Sequence, residues 1–283
     1  MNNYEPKKEK AAASLILAKQ YHQAGDLAGA KRLYDKILAG DPRHVEALHL
    51  KGVLFYQKGE PVVAVKMIRQ ALLLSPNYIE AQANLGLAYE ALGKLESAEH
   101  CYRDLLRKNR NLAGVHNNLG FVLQSLGRTE EAFVSYRNSL EIEPNFVQAH
   151  FNYGRAYQEK GELDDALMSF QKAISIKPDF SEAIREIGLI FYAQGLFDKA
   201  AISFQNYITI DPNCALGHNY LGLALQESGL LNEALRCYQT ALAVDPDSVS
   251  AYYNLGITIK QIKNKKYVKF TTILYLVLHV SII

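Results

Sequence analysis

The chain has 283 residues, of which 49% are aliphatic or aromatic and 21% charged, with a net charge of +2. That balance supports a buried core and supplies no strong field to draw nucleic acid or an acidic membrane. Three cysteines (Cys101, Cys214, Cys237), none in a C-x-x-C pair, exclude a disulfide framework and a thiolate zinc site.

Residues 1–10, MNNYEPKKEK, are polar and mixed in charge and read as an N-terminal extension. AAASLILA follows and runs into KQYHQ with no cleavage-site pattern, so it is expected to open a helix rather than to be a signal peptide. From residue 11 a period of 34 residues governs the chain. Gly52, Gly86, Gly120, Gly154, Gly188, Gly222 and Gly256 form one series; Gly25, Gly59, Gly93, Gly127, Gly161, Gly195 and Gly229 form a second. Together they use 14 of the 18 glycines, which chance does not produce. Ala30, Ala64, Ala98, Ala132, Ala166, Ala200 and Ala234 keep step. Four residues later comes a large side chain: Tyr34, Ile68, Tyr102, Tyr136, Phe170, Phe204 or Tyr238. Pro42, Pro76, Pro144, Pro178, Pro212 and Pro246 close units, with Arg110 in that place in the third.

Each recurring residue has a physical reason. The first glycine lies inside an amphipathic stretch, where it costs about 1 kcal/mol against alanine and permits close approach of a second helix. The second glycine suits a left-handed helix C-terminus. The alanine is small where two helices touch, and the large residue four later shares its face. Proline cannot continue a helix, whereas Pro61 falls at a first helical turn, where it is tolerated. Every unit therefore reads as helix A, turn, helix B, turn. Units begin at 11, 45, 79, 113, 147, 181, 215 and 249, the eighth incomplete, so the array spans 11–262.

The pattern resembles the tetratricopeptide repeat (TPR), W-x2-L-G-x2-Y, then A-x3-F, then P. The third unit carries it as Gln82-x2-Leu85-Gly86-x2-Tyr89, then Ala98-x3-Tyr102. Tryptophan is absent, and His116 and His150 are among its replacements. The resemblance implies an all-α fold, an α-solenoid wound as a right-handed superhelix, with helices A lining a concave face.

Chemistry-like features have plainer readings within the repeat. LGLAYEALGK (85–94) has the wrong glycine spacing for a phosphate loop and no Ser or Thr after Lys94. His116 and His150, at equivalent positions, form a conceivable metal pair, but no third ligand joins them, and helix packing is the competing reading. Cys101 and Cys237 precede the helix-B aromatic and read as packed thiols. No catalytic constellation stands out, so neither an enzyme nor a cofactor is expected.

On a helical wheel, positions 4, 7, 8 and 11 of helix A form a packing stripe and positions 2, 5, 6, 9, 12 and 13 the opposite face. Asparagine recurs at position 6: Asn84, Asn118, Asn152 and Asn254. Asn117 and Asn219 stand at position 5, and Phe121, Phe151, Tyr192, Tyr220 and Tyr253 interleave. An asparagine amide matches a peptide group. Helices about 8–10 Å apart would place one such amide at about every third residue of an extended peptide. The row looks like the ladder in the TPR half of O-linked N-acetylglucosamine transferases, which implies a grip on substrate backbone; solvation of a helix face is the alternative. The carboxylate clamp of chaperone-binding TPR proteins is not matched, since position 9 is never asparagine. Arg155 and Arg185 could hold a carboxylate, with Glu182 and Glu186 placed to neutralise them.

Residues 263–283 begin basic and end apolar, KNKKYVKFTTILYLVLHVSII, with Lys263 where the second glycine should be. Three readings stand: a cap on the last repeat, a membrane anchor over 268–283, or the end of a shortened reading frame. The expected function is a scaffold that binds an extended segment of another protein. The alternative is the substrate-recognition half of a split or truncated enzyme such as a protein O-glycosyltransferase. Partners are expected to be proteins or peptides, not nucleic acid, since an RNA-binding solenoid would want a basic groove. The expected compartment is cytoplasmic, or membrane-tethered if the tail anchors.

Overall fold

The computed structural model describes the backbone of residues 5–280 and the side chains of residues 10–264. Among the described residues there are fifteen helices and no strand. Helices A and B alternate as α1 (Glu5–Gln23) and α2 (Leu27–Gly40), α3 (Val45–Gln57) and α4 (Pro61–Leu74), α5 (Ile79–Glu90) and α6 (Leu95–Lys108), and α7 (Ala113–Ser125) and α8 (Thr129–Ile142). They continue as α9 (Val147–Lys160) and α10 (Leu163–Ile176), α11 (Ser181–Ala193) and α12 (Phe197–Ile210), α13 (Ala215–Glu227) and α14 (Leu231–Val244), and finally α15 (Val249–Val280). The chain forms two compact units, Met1–Asn152 and Tyr153–Ile283, divided within α9. In each, a helix packs on its neighbours in sequence, and α3 on α5, α5 on α7 and α13 on α15 add contacts between successive helices A.

The turns follow the glycine code. All seven glycines of the second series have positive φ, from 67° to 84°. The residue after each donates its N–H to the carbonyl five residues back, as Lys94 does to Tyr89 (2.9 Å) and Arg128 to Leu123 (2.8 Å). This is the Schellman closure that a left-handed residue permits. Pro61 opens α4 as expected. Where Arg110 replaces the closing proline, the Asn109 side chain accepts from the Asn111 N–H at 2.9 Å. Arg128 and Arg103 share Glu99 and Glu131 at 2.7–2.9 Å, clasping α6 to the start of α8.

The first glycine series receives the helix-B side chain. A Cβ on Gly120 would lie 2.6 Å from Tyr136 Cε1, and those on Gly154, Gly188 and Gly222 as close to Phe170, Phe204 and Tyr238. Tyr34, Tyr102, Tyr136, Phe170, Phe204 and Tyr238 are all but wholly buried. The buried surface of helix A is wider than the wheel stripe. Positions 3 and 10 are buried in units two to seven, as in Val115/Val122 and Ala183/Ile190. In the first unit their counterparts Ala13 and Gln20 are exposed. That row packs on the preceding repeat, a neighbour that a single amphipathic wheel does not contain. Position 4 joins the core where it is apolar, as Leu48 and Ile184; where it is polar, Gln82, His116, His150 and His218 each bond the carbonyl six residues back, at 2.9–3.0 Å, and so fasten the inter-repeat turn.

The eighth unit has no second helix over the expected tail, 263–283, among the described residues. Its helix A continues without a turn through Lys263 to Val280. The helix already runs from Glu5 at the other end, through half of the expected extension. The anchor and cap readings concern residues whose side chains lie outside those described. Among the described residues no helix is long and apolar enough to cross a membrane.

Candidate functional site

Successive helices A are joined by polar side chains 35 residues apart, from position 5 of one repeat to position 6 of the next. In the first unit Asn152 Nδ2 donates to Asn117 Oδ1 at 2.9 Å, and Asn84 Nδ2 lies 2.8 Å from His49 Nε2. In the second, Asn254 Nδ2 donates to Asn219 Oδ1 at 3.0 Å. Burial makes these bonds structural: Asn117 is 4% exposed, Asn152 8% and Asn219 5%. The wheel places Asn117 on an open face. In the structure position 5 turns toward the next helix A, and an amide there is buried against its partner.

The pairs extend into short networks. Asn117 Nδ2 donates to Asn118 Oδ1 at 3.2 Å, and Gln148 Nε2 donates to Asn152 Oδ1 at 3.0 Å. His49 Nδ1 meets the Tyr78 hydroxyl at 3.0 Å, and burial lowers the imidazole pKa, keeping the ring neutral. Asn118 is half-buried beside Phe121, which is 39% exposed. Phe151 is buried.

In the second unit Arg155 is exposed and paired with Glu159 at 3.7 Å. Arg185 is half-buried and bonds Glu186 at 2.6 Å, with Gln158 Nε2 on the other Glu186 oxygen at 3.5 Å. Both arginines are thus neutralised within the chain. Tyr192 sits edge-on to Phe197, and Tyr220 stacks on Phe204 at 5.2 Å between ring centres. Tyr253 is 69% exposed.

A second row went unread in the sequence. The tyrosine hydroxyl of helix B reaches position 12 of its own helix A, twelve residues back. Tyr136 donates to Gln124 Oε1 at 2.8 Å and Tyr238 to Gln226 Oε1 at 3.0 Å; His22 Nδ1 lies 3.2 Å from the Tyr34 hydroxyl. In the third unit the acceptor is Glu90, which takes the Tyr102 hydroxyl. Burial pushes the Glu90 carboxyl up to about 7, against the opposing hydrogen bond from Tyr102. The signal was present: position 12 carries an acceptor in these four units, whose ring is Tyr. Burial also pushes the Cys101 thiol up to about 11, which leaves it a poor nucleophile. Among the described residues no group of three His, Cys, Asp or Glu could hold a metal ion.

Antiparallel helix pairs in a 34-residue repeat, stacked through small residues and lateral amide bonds, define a helical repeat protein of the interaction-scaffold class. Tetratricopeptide repeat models match residues 15–79 and 154–213, 79–111 and 111–179, and a TPR repeat model matches 227–262. The chain belongs to the tetratricopeptide repeat family, whose members generally serve as non-catalytic scaffolds for protein interaction. It is similar to the crystal structure of MamA at 29% identity over 57% of this chain and 94% of that one, with a TM-score of 0.50. A tetratricopeptide repeat protein from Parabacteroides merdae aligns over 89% of this chain and 99% of its own at 17% identity, with a TM-score of 0.65. The APC/C hetero-tetramer Cut9–Hcn1 aligns over 85% and 48% at 14% identity, with a TM-score of 0.69. The last two likenesses concern the fold alone. No curated protein matches the chain.

Proposed function

We propose that the chain binds an extended segment of a partner protein along the exposed edge of helices A, reading its backbone with amides and its side chains with interleaved rings. The observation that carries the reading is the lateral amide pairing. Three pairs at the same 35-residue spacing align successive helices A in register. Beside them stand half-buried Asn118 and the open ring of Phe121 in the first unit, and the open ring of Tyr253 in the second. An amide side chain has two donors and two acceptor sites. Asn254 uses one donor on Asn219, which leaves capacity for a peptide group.

The row's likeness to that of the O-linked N-acetylglucosamine transferases supports backbone recognition. The buried Asn117–Asn152 bond narrows which members would do it: Asn118, Asn84 and Asn254 are the better placed. Arg155 and Arg185, already paired, act as parts of the framework rather than as a carboxylate clamp.

The test is a peptide-display selection against the full chain, followed by affinities for Asn118→Ala/Phe121→Ala. Selected peptides should share extended, low-charge character and bind the double variant at least about tenfold more weakly, about 1.4 kcal/mol. Failure to select any peptide, or equal affinity for both proteins at unchanged helicity, refutes the proposal.

A further inference from the structure

We infer that the last repeat is completed by a second copy of the chain, the two copies exchanging the C-terminal halves of α15 about a two-fold axis. This rests on the end of the array and is independent of peptide binding.

Three observations converge. The face of α15 that a helix B would cover is bare: Tyr252 is 57% exposed and Ile259 38%, with Gly256 exposed between them. A Cβ on Gly256 would meet nothing within 4 Å, whereas at Gly86, Gly120, Gly154, Gly188 and Gly222 it would strike a ring of helix B. Second, the turn that returns helix B is missing. Lys263 stands where seven other units place a positive-φ glycine, and the helix runs straight on. A lysine in that conformation costs about 1–2 kcal/mol. Third, the continuation over 268–280 is apolar in sequence, VKFTTILYLVLHV, and extends the helix past the face that needs covering rather than back over it.

A straight helix with a bare apolar face on its first half and an apolar sequence on its second is self-complementary. Two antiparallel copies satisfy both needs without a turn, since helices A and B of a repeat are themselves antiparallel. Residue 272 of one copy then lies opposite Gly256 of the other, at the sixteen-residue offset that joins Gly222 to Tyr238. The contact is isologous and closes on itself, the form that domain exchange takes.

Sedimentation equilibrium on the full chain in the micromolar range tests this. The wild type should sediment as a dimer. Gly256→Arg should raise the dissociation constant at least about tenfold without loss of helicity, because the space around Gly256 in one copy is open. Lys263→Gly should restore the turn and shift the protein toward monomer. A wild-type monomer, an open series of larger oligomers, or a dimer that neither substitution weakens overturns the inference.

Discussion

Replacing Gly120 with alanine should destabilise the protein, although the same change in an open helix is favourable by about 1 kcal/mol. The new Cβ would sit 2.6 and 2.7 Å from Cε1 and Cδ1 of Tyr136. Carbon atoms prefer about 3.5–4.0 Å, so the ring must retreat by about 1 Å. Tyr136 is wholly buried and its hydroxyl is held 2.8 Å from Gln124 Oε1, so retreat strains the core and stretches that bond. Overpacking typically costs about 1–3 kcal/mol and a weakened hydrogen bond about 1 kcal/mol. After the propensity gain, a net loss of about 1–3 kcal/mol remains. Repeat arrays open in parts, so urea melts followed by circular dichroism should be joined to amide exchange in α7 and α8. The decisive arm is a double-mutant cycle. Tyr136→Ala alone should cost about 3–5 kcal/mol. In that background Gly120→Ala should stabilise, giving a coupling of about 2 kcal/mol or more. A neutral or stabilising Gly120→Ala in the wild type refutes the reasoning.

Glu90 holds its proton more tightly folded, at about 7, than its ordinary 4.5, so the chain takes up a proton on folding between those values. Stability should therefore fall as pH rises through that window. Glu90→Gln, the residue of the Gln124 and Gln226 repeats, should flatten the profile and gain about 1–2 kcal/mol above pH 7, allowing for partial exposure, in urea melts across pH. Asn152→Ala strips Asn117 Oδ1 of its donor and Gln148 of its acceptor, and should cost about 1–3 kcal/mol by thermal melting. Gly161→Ala forces alanine to a φ of 84° and should cost about 1–2 kcal/mol, read as faster exchange at the end of α9.

The helices and their turns were legible because each depends on residues near in sequence. Gly93, at the end of an apolar helical run, marks a left-handed turn, and Ala98 and Tyr102 share a face four residues apart. The family followed from that code; that the ring of Tyr102, sixteen residues on, fills the space at Gly86 came from the structure. The site was less legible. Asn117 looks the same on a wheel whether position 5 faces solvent or the next helix A, and only the packing of α7 against α9 buries it. Positions 3 and 10 were assigned to neither face of the wheel, and their burial in units two to seven comes from the preceding repeat that lies against them.

What the sequence determined by itself is the period, the hairpin and the family, since helix propensity, capping and left-handed turns act within a few residues. Tertiary structure alone decided which polar side chains are bound within the protein and which stay open. That depends on neighbours 35 residues away, and burial there converts Asn117, Asn152 and Asn219 from candidate ligands of a peptide into the bonds that align successive repeats.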